Sequence, residues 1–188
     1  GVEKIRAVIK PQTEIFLDLK FHDIPNTVKG AVTSALRAQP QFLTIHASGG
    51  PAMIEAAAEA AKGRAKILAV TVLTNLDEND LVHIGQQGPV RAQVLRLATL
   101  AKNSGADGIV CSPQEIAPLR AALGKDFLLV IPGIRPAGTD KGDQKRTLTP
   151  QEAARLGANY LVIGRPITAA ADPVLAAKNI LADLARAA

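Results

Sequence analysis

Residues 14–27 read EIFLDLKFHDIPNT, and the fold of the chain turns on how this stretch is parsed. Three apolar residues, Ile15, Phe16 and Leu17, lead into charges at Asp18 and Lys20 and then at Asp23. A short apolar run bounded by polar residues predicts a buried strand, here residues 14–19. Strand residues two apart share a face, so Asp18 and Lys20 would leave the sheet side by side. Two charges at the carboxyl end of an apolar strand are costly unless they pair or act on a ligand. A structural ion pair closing the strand would meet that condition too. Asp23 and the helix-opening Pro25-Asn26-Thr27 tilt the reading towards a site.

Outward from this unit, apolar strands and helices alternate. Residues 1–10 carry Val2, Ile5, Val8 and Ile9 at helical spacing and stop at Pro11. A helix over 25–38 precedes a strand over 42–46. Ala47-Ser48-Gly49-Gly50-Pro51 breaks that strand as a turn and feeds an alanine-rich helix to about Lys62. A third strand is expected over 67–73, a loop and short helix over 77–84, and a helix over 90–104. Residues 107–111 and 127–131 read as strands four and five, with a helix over 113–123 between them. A polar stretch over 137–148 is too hydrophilic to pack and is expected to move. Thr149-Pro150-x-Glu152 has the form of a capping box. Strand six is expected over 160–163, and a last helix from about Pro173 to the end. Six βα units of this kind predict a parallel sheet covered by helices, with functional residues at the carboxyl ends of its strands. A barrel and an open doubly wound sheet both fit that pattern.

Composition narrows the class. The chain has 188 residues, 47% hydrophobic and 21% charged, with a net charge of +5, which suits one soluble domain with a sizeable core. Four Phe, one Tyr and no Trp among scattered basic residues offer no stacking platform, so no nucleic-acid partner is expected. The net positive charge would still attract a small anionic substrate. The longest uncharged apolar run, residues 67–76, is too short for a bilayer, so no membrane partner is expected. No secretory leader is read, and the opening Gly1 suggests processing or excision. Cys111, the single cysteine, sits in an apolar run as a small hydrophobe, and its usage points to a reducing cytoplasm. His22, His46 and His83 lack metal-ligand spacing; the first two are expected around strand ends and His83 on the surface.

DLKFHDIPNT, residues 18–27, resembles the Asp-x-Lys-x-x-Asp signature of the orotidine 5′-monophosphate decarboxylase family, and the likeness extends over essentially the whole chain. The resemblance implies an α/β fold, a TIM (β/α)8-type barrel of which six βα units are readable here. It implies cofactor-independent decarboxylation of orotidine 5′-monophosphate to uridine 5′-monophosphate, with no metal. Lys20 would protonate the carbanion left at ring carbon 6, and Asp18 would sit beside the substrate carboxylate. Asp23 would reach the neighbouring subunit's site in a homodimer with shared active sites, with Ile24 and Thr27 close by. Thr74 would contact the pyrimidine ring, although a cap or turn role fits it equally well. Arg135 and Gln144 match substrate-binding positions, and Gln144 falls in the polar stretch, where a lid could close over phosphate. Gly164 and Arg165 would take the phosphate, by close backbone approach and a fork of donors.

In this family a strand, a helix and a second strand precede the segment that begins here. They carry a ribose-binding Asp and the first Lys of an alternating Lys-Asp-Lys-Asp array. The chain is therefore expected to be a single barrel domain, 1–188, incomplete at its N-terminus and not a competent enzyme alone. Two other readings stand beside the first. A magnesium-dependent sugar-phosphate decarboxylase or aldolase of the same superfamily shares Asp-x-Lys-x-x-Asp. A non-catalytic nucleotide-phosphate-binding fragment would also fit the incomplete array.

Overall fold

The computed structural model describes residues 3–86, 88–136 and 147–186. It forms two compact units, Gly1–Thr71 with Arg96–Ile109, and Val72–Leu95 with Val110–Ala188. The expected polar stretch falls largely on 137–146, and with Gln144 it lies outside the described residues.

The first unit begins with α1 (Glu3–Val8), β1 (Phe16–Phe21) and α2 (Pro25–Ala35), the last continued by a 3-10 turn, Leu36–Ala38. β2 (Phe42–His46), α3 (Pro51–Ala61) and β3 (Lys66–Val70) follow. β1, β2 and β3 pair in parallel, and the β2–β3 register runs without a break from Phe42↔Lys66 to His46↔Val70. β2 is buried on both faces from Phe42 to Ile45, as a central parallel strand must be. α2 buries Val28, Val32 and Ala35, and α3 buries Met53, Ile54, Ala57, Ala60 and Ala61. These spacings of three and four put one apolar stripe on each helix. Each Leu, Ile, Val or Met so buried contributes about 1.5–3 kcal/mol. At the foot of β3, Asp107 accepts the Ile67 N–H (2.9 Å) with one oxygen and Lys66 Nζ (2.9 Å) with the other.

The second unit holds α4 (Glu78–His83) and the start of α5 (Val90–Asn103), a helix whose remainder belongs to the first unit. β4 (Gly108–Val110) ends in it, and a 3-10 turn, Pro113–Glu115, leads into α6 (Ile116–Leu123). Next come β5 (Leu128–Ile131), α7 (Pro150–Arg155), β6 (Tyr160–Leu161), α8 (Arg165–Thr168) and α9 (Pro173–Ala185). β5 and β6 are parallel, in register at Val130↔Tyr160 and Ile131↔Leu161. Cys111 is buried, its N–H donating to the Val130 carbonyl at 3.3 Å. Arg120, on α6, gathers the loops around β5 and β6. One guanidinium nitrogen donates to the carbonyls of Gly124 (2.8 Å), Lys125 (3.1 Å) and Phe127 (2.8 Å). The other donates to the Gly157 carbonyl and to Asn159 Oδ1, both at 2.6 Å.

The strand order is β1-β2-β3-β4-β5-β6. A doubly wound sheet reverses its order at a switch point, where a barrel-type sheet adds each strand beside the last. The order follows the chain throughout, so the fold is α/β with six parallel βα units of the (β/α)8 type. Among the described residues no helix is long and apolar enough to cross a membrane.

Several boundaries differ from expectation. β1 covers Phe16–Phe21 rather than 14–19, because its ladder starts only after the Ile15 carbonyl accepts the Gln41 and Phe42 N–H groups. Lys20 therefore lies inside the strand with Asp18, rather than just past its end. β3 stops at Val70, where its partner β2 turns at His46, so residues 71–73 lie beyond it. β4 and β6 are shorter than expected, at three and two residues.

Candidate active site

Asp18 and Lys20 meet at an irregularity in β1. Leu17 pairs with Leu43 and Phe21 with Ile45, so four steps along β1 match two along β2. The surplus falls on Asp18, Leu19 and Lys20, and Lys20 adopts a left-handed backbone with φ of 50°. Such a conformation costs a non-glycine residue of order 1–3 kcal/mol and clusters at functional sites.

Lys20 Nζ lies 2.5 Å from Asp18 Oδ2, and both side chains are about two-fifths exposed, at 41% and 43%. An ion pair so open to water adds little stability. Its value is directional, since it holds an ammonium and a carboxylate side by side at an accessible strand face. Behind the pair stands Thr44 of β2, fully buried. Its Oγ1 accepts the Lys20 N–H at 2.9 Å and donates to Asp18 Oδ1 at 2.8 Å. Sequence reasoning passed over Thr44; the available signal was a lone hydroxyl in the otherwise apolar core of Phe42-Leu43-Thr44-Ile45.

Asp23 is exposed and accepts the N–H of its neighbour Ile24 at 2.7 Å, which braces the entry into α2. Ile24, the residue before the helix, is 68% exposed, and Thr27 is exposed in the first turn. This is an open apolar and polar edge beside the charged pair.

His22 and His46 face each other with ring centroids 5.3 Å apart. The chain is tight here: a Cβ on Gly49 would fall 3.3 Å from His22 Cδ2 and 2.2 Å from Met53 Sδ. Burial first, then His22 and Lys20, push the His46 imidazole below its ordinary 6.5, and Asp18 opposes them. A lowered folded value means that the native state favours the neutral ring. That contribution to stability is complete above pH 6.5 and is lost as pH falls below 6.5 through the folded value. Urea midpoints of wild type and His46→Asn, followed through this range, should diverge, with the wild type weakening more steeply on acidification. Parallel curves would remove His46 as the source.

The remaining expected residues belong to the second unit. Thr74 is half-buried and lines a cavity of about 550 Å³ with Asp77, Glu78, Arg91 and Gln114. Arg135 is half-buried; its N–H donates to the Leu148 carbonyl (2.9 Å) and its Nη1 to the Ile134 carbonyl (2.9 Å). Gly164 precedes α8, and a Cβ placed on it would meet nothing within 4 Å. Its backbone, at φ −97° and ψ −101°, lies outside the regions that a side chain readily allows, which favours glycine there. Arg165 is exposed as the first residue of α8. Among the described residues no group of three or more His, Cys, Asp or Glu could hold a metal ion.

Comparison with known proteins converges on one family. The family model described as Orotidine 5'-phosphate decarboxylase / HUMPS family matches residues 1–180. An orotidine 5'-phosphate decarboxylase from Marinomonas sp. (strain MWYL1) is 55% identical over 175 residues, 91% of this chain and 74% of the relative. One from Gluconobacter oxydans (strain 621H) is 54% identical over 194 residues, 100% of this chain and 82% of the relative. The crystal structure of orotidine 5'-phosphate decarboxylase from Lactobacillus acidophilus superposes with a TM-score of 0.86 at 40% identity. That match covers 98% of this chain and 81% of the other. With the signature strand in place and the match nearly end to end, the chain belongs to the orotidine 5'-phosphate decarboxylase / HUMPS family.

Proposed function

We propose that this protein decarboxylates orotidine 5′-monophosphate to uridine 5′-monophosphate, a step of pyrimidine biosynthesis, without a cofactor. The observation that carries the reading is the Asp18–Lys20 pair, set on a left-handed kink of β1 and open to solvent. Departure of carbon dioxide leaves an electron pair on ring carbon 6. Lys20 Nζ stabilises that charge as an ammonium and then gives it a proton, which it regains from water. Asp18 holds the ammonium in place and raises the energy of a substrate carboxylate brought beside it. In this reading Thr74 and Arg135 orient the substrate, with Gln144. Arg165 takes the phosphate through its guanidinium, where Gly164 leaves room for close approach.

The protein acts in the cytoplasm as a homodimer in which Asp23, with Ile24 and Thr27, completes the partner's site. Support for this comes from the exposure of all three beside the charged pair. Lys20→Ala and Asp23→Ala variants, each inactive alone, should regain turnover when their subunits are exchanged. No recovery after demonstrated exchange would argue against sharing.

Turnover of orotidine 5′-monophosphate in the presence of a chelator tests the function. Undiminished release of carbon dioxide is expected. Loss of activity on chelation, together with turnover of a sugar phosphate when magnesium is restored, would replace this reading with the magnesium-dependent one. Nucleotide binding without turnover would leave a binding protein.

A further inference from the structure

We infer that Thr44 is a positioning residue for the Asp18–Lys20 pair, a role that rests on the decarboxylase reading of that pair. The β1–β2 ladder loses its regular register between Leu17 and Phe21, and the Lys20 N–H turns to a side chain, Thr44 Oγ1. A hydroxyl has one hydrogen to give and two lone pairs to receive with. Thr44 receives from the Lys20 backbone and gives its hydrogen to Asp18 Oδ1, while Asp18 Oδ2 takes Lys20 Nζ. Backbone of Lys20, hydroxyl of Thr44, carboxylate of Asp18 and ammonium of Lys20 thus form one closed ring of hydrogen bonds. The ring is anchored at a side chain with no exposure and ends in two groups that reach solvent.

A valine of the same shape would fill the Thr44 site with less desolvation cost, so packing alone gives no reason for the hydroxyl. What the hydroxyl supplies is direction. It fixes which oxygen of Asp18 faces the ammonium, and it supports the left-handed turn that carries the Lys20 side chain outward. Removing it leaves a shielded N–H without its acceptor and a carboxylate without one of its donors.

Thr44→Val and Thr44→Ser, made in the full-length protein, separate this role from packing. The Val variant should lose about 10- to 100-fold in kcat, the loss expected for a hydrogen bond to a charged group, with KM for orotidine 5′-monophosphate little changed. The Ser variant, which keeps the hydroxyl and loses a methyl group, should restore most of kcat. In parallel, hydrogen exchange at the Lys20 amide, read by NMR, should speed up in the Val variant and stay protected in the Ser variant. If the Val variant does not fold, Thr44→Ala takes its place. If neither folds, a Ser variant as slow as one lacking Lys20 would still overturn the inference. So would a Val variant with wild-type kcat, or unchanged exchange at Lys20. A full-length wild-type protein that does not turn over the substrate would sink the decarboxylase reading instead, and the exchange measurement would still decide whether Thr44 holds Lys20.

Discussion

Lys20→Ala is expected to lower decarboxylation by at least about 10⁴-fold while leaving binding of uridine 5′-monophosphate measurable. Two losses combine. On the proposed mechanism the variant has no acid to protonate ring carbon 6, and no ammonium to balance the charge that develops there. It also leaves Asp18 beside the substrate carboxylate without the cation that sits 2.5 Å away in the wild type. Members of such a charged array act together, so the effect of removing one exceeds a simple share of the whole. Folding should survive, because the pair is solvent-exposed and weakly stabilising. Isothermal titration with the product nucleotide, run beside a turnover assay, separates the two effects. Near-normal turnover would sink the assignment of Lys20.

Arg120→Ala should lower the stability of the second unit by about 3 kcal/mol. Its guanidinium serves four carbonyls and the Asn159 side chain. Asn159 Oδ1 in turn accepts the Leu129 N–H at 2.8 Å, so one cation braces the start of both β5 and β6. Truncation would leave several carbonyls facing each other with only water to bridge them. A lysine should recover little, since a point charge cannot reproduce the planar fork. Urea unfolding measures the effect, and a loss below about 1 kcal/mol would mean that water replaces the guanidinium without penalty.

These cases mark what the sequence makes legible. β2 is found at its true limits because five consecutive residues, Phe42–His46, fit a strand buried on both faces. The Thr149–Glu152 capping box is found because its partners are three residues apart, and Thr149 Oγ1 does accept the Glu152 N–H at 3.3 Å. The meeting of Asp18 with Lys20 is also anticipated, from simple alternation. Its actual route is different: a register break that depends on what β2 offers opposite. Thr44 reaches Asp18 across 26 positions, and Arg120 reaches Gly157 across 37. Neither local spacing nor propensity encodes such meetings, so both residues look like ordinary members of their elements.

The left-handed backbone of Lys20 sets the two halves of that residue at odds. Its main chain would be more at ease as glycine, which occupies this region freely and would relieve the local strain. Its side chain is the acid that the proposed decarboxylation requires. Drift under selection for stability alone would therefore move position 20 towards glycine, and lysine persists there only while turnover matters to the cell. In descendants sharing this kinked strand, the identity of that one residue would act as a record of whether the enzyme is still employed or has become a retired scaffold.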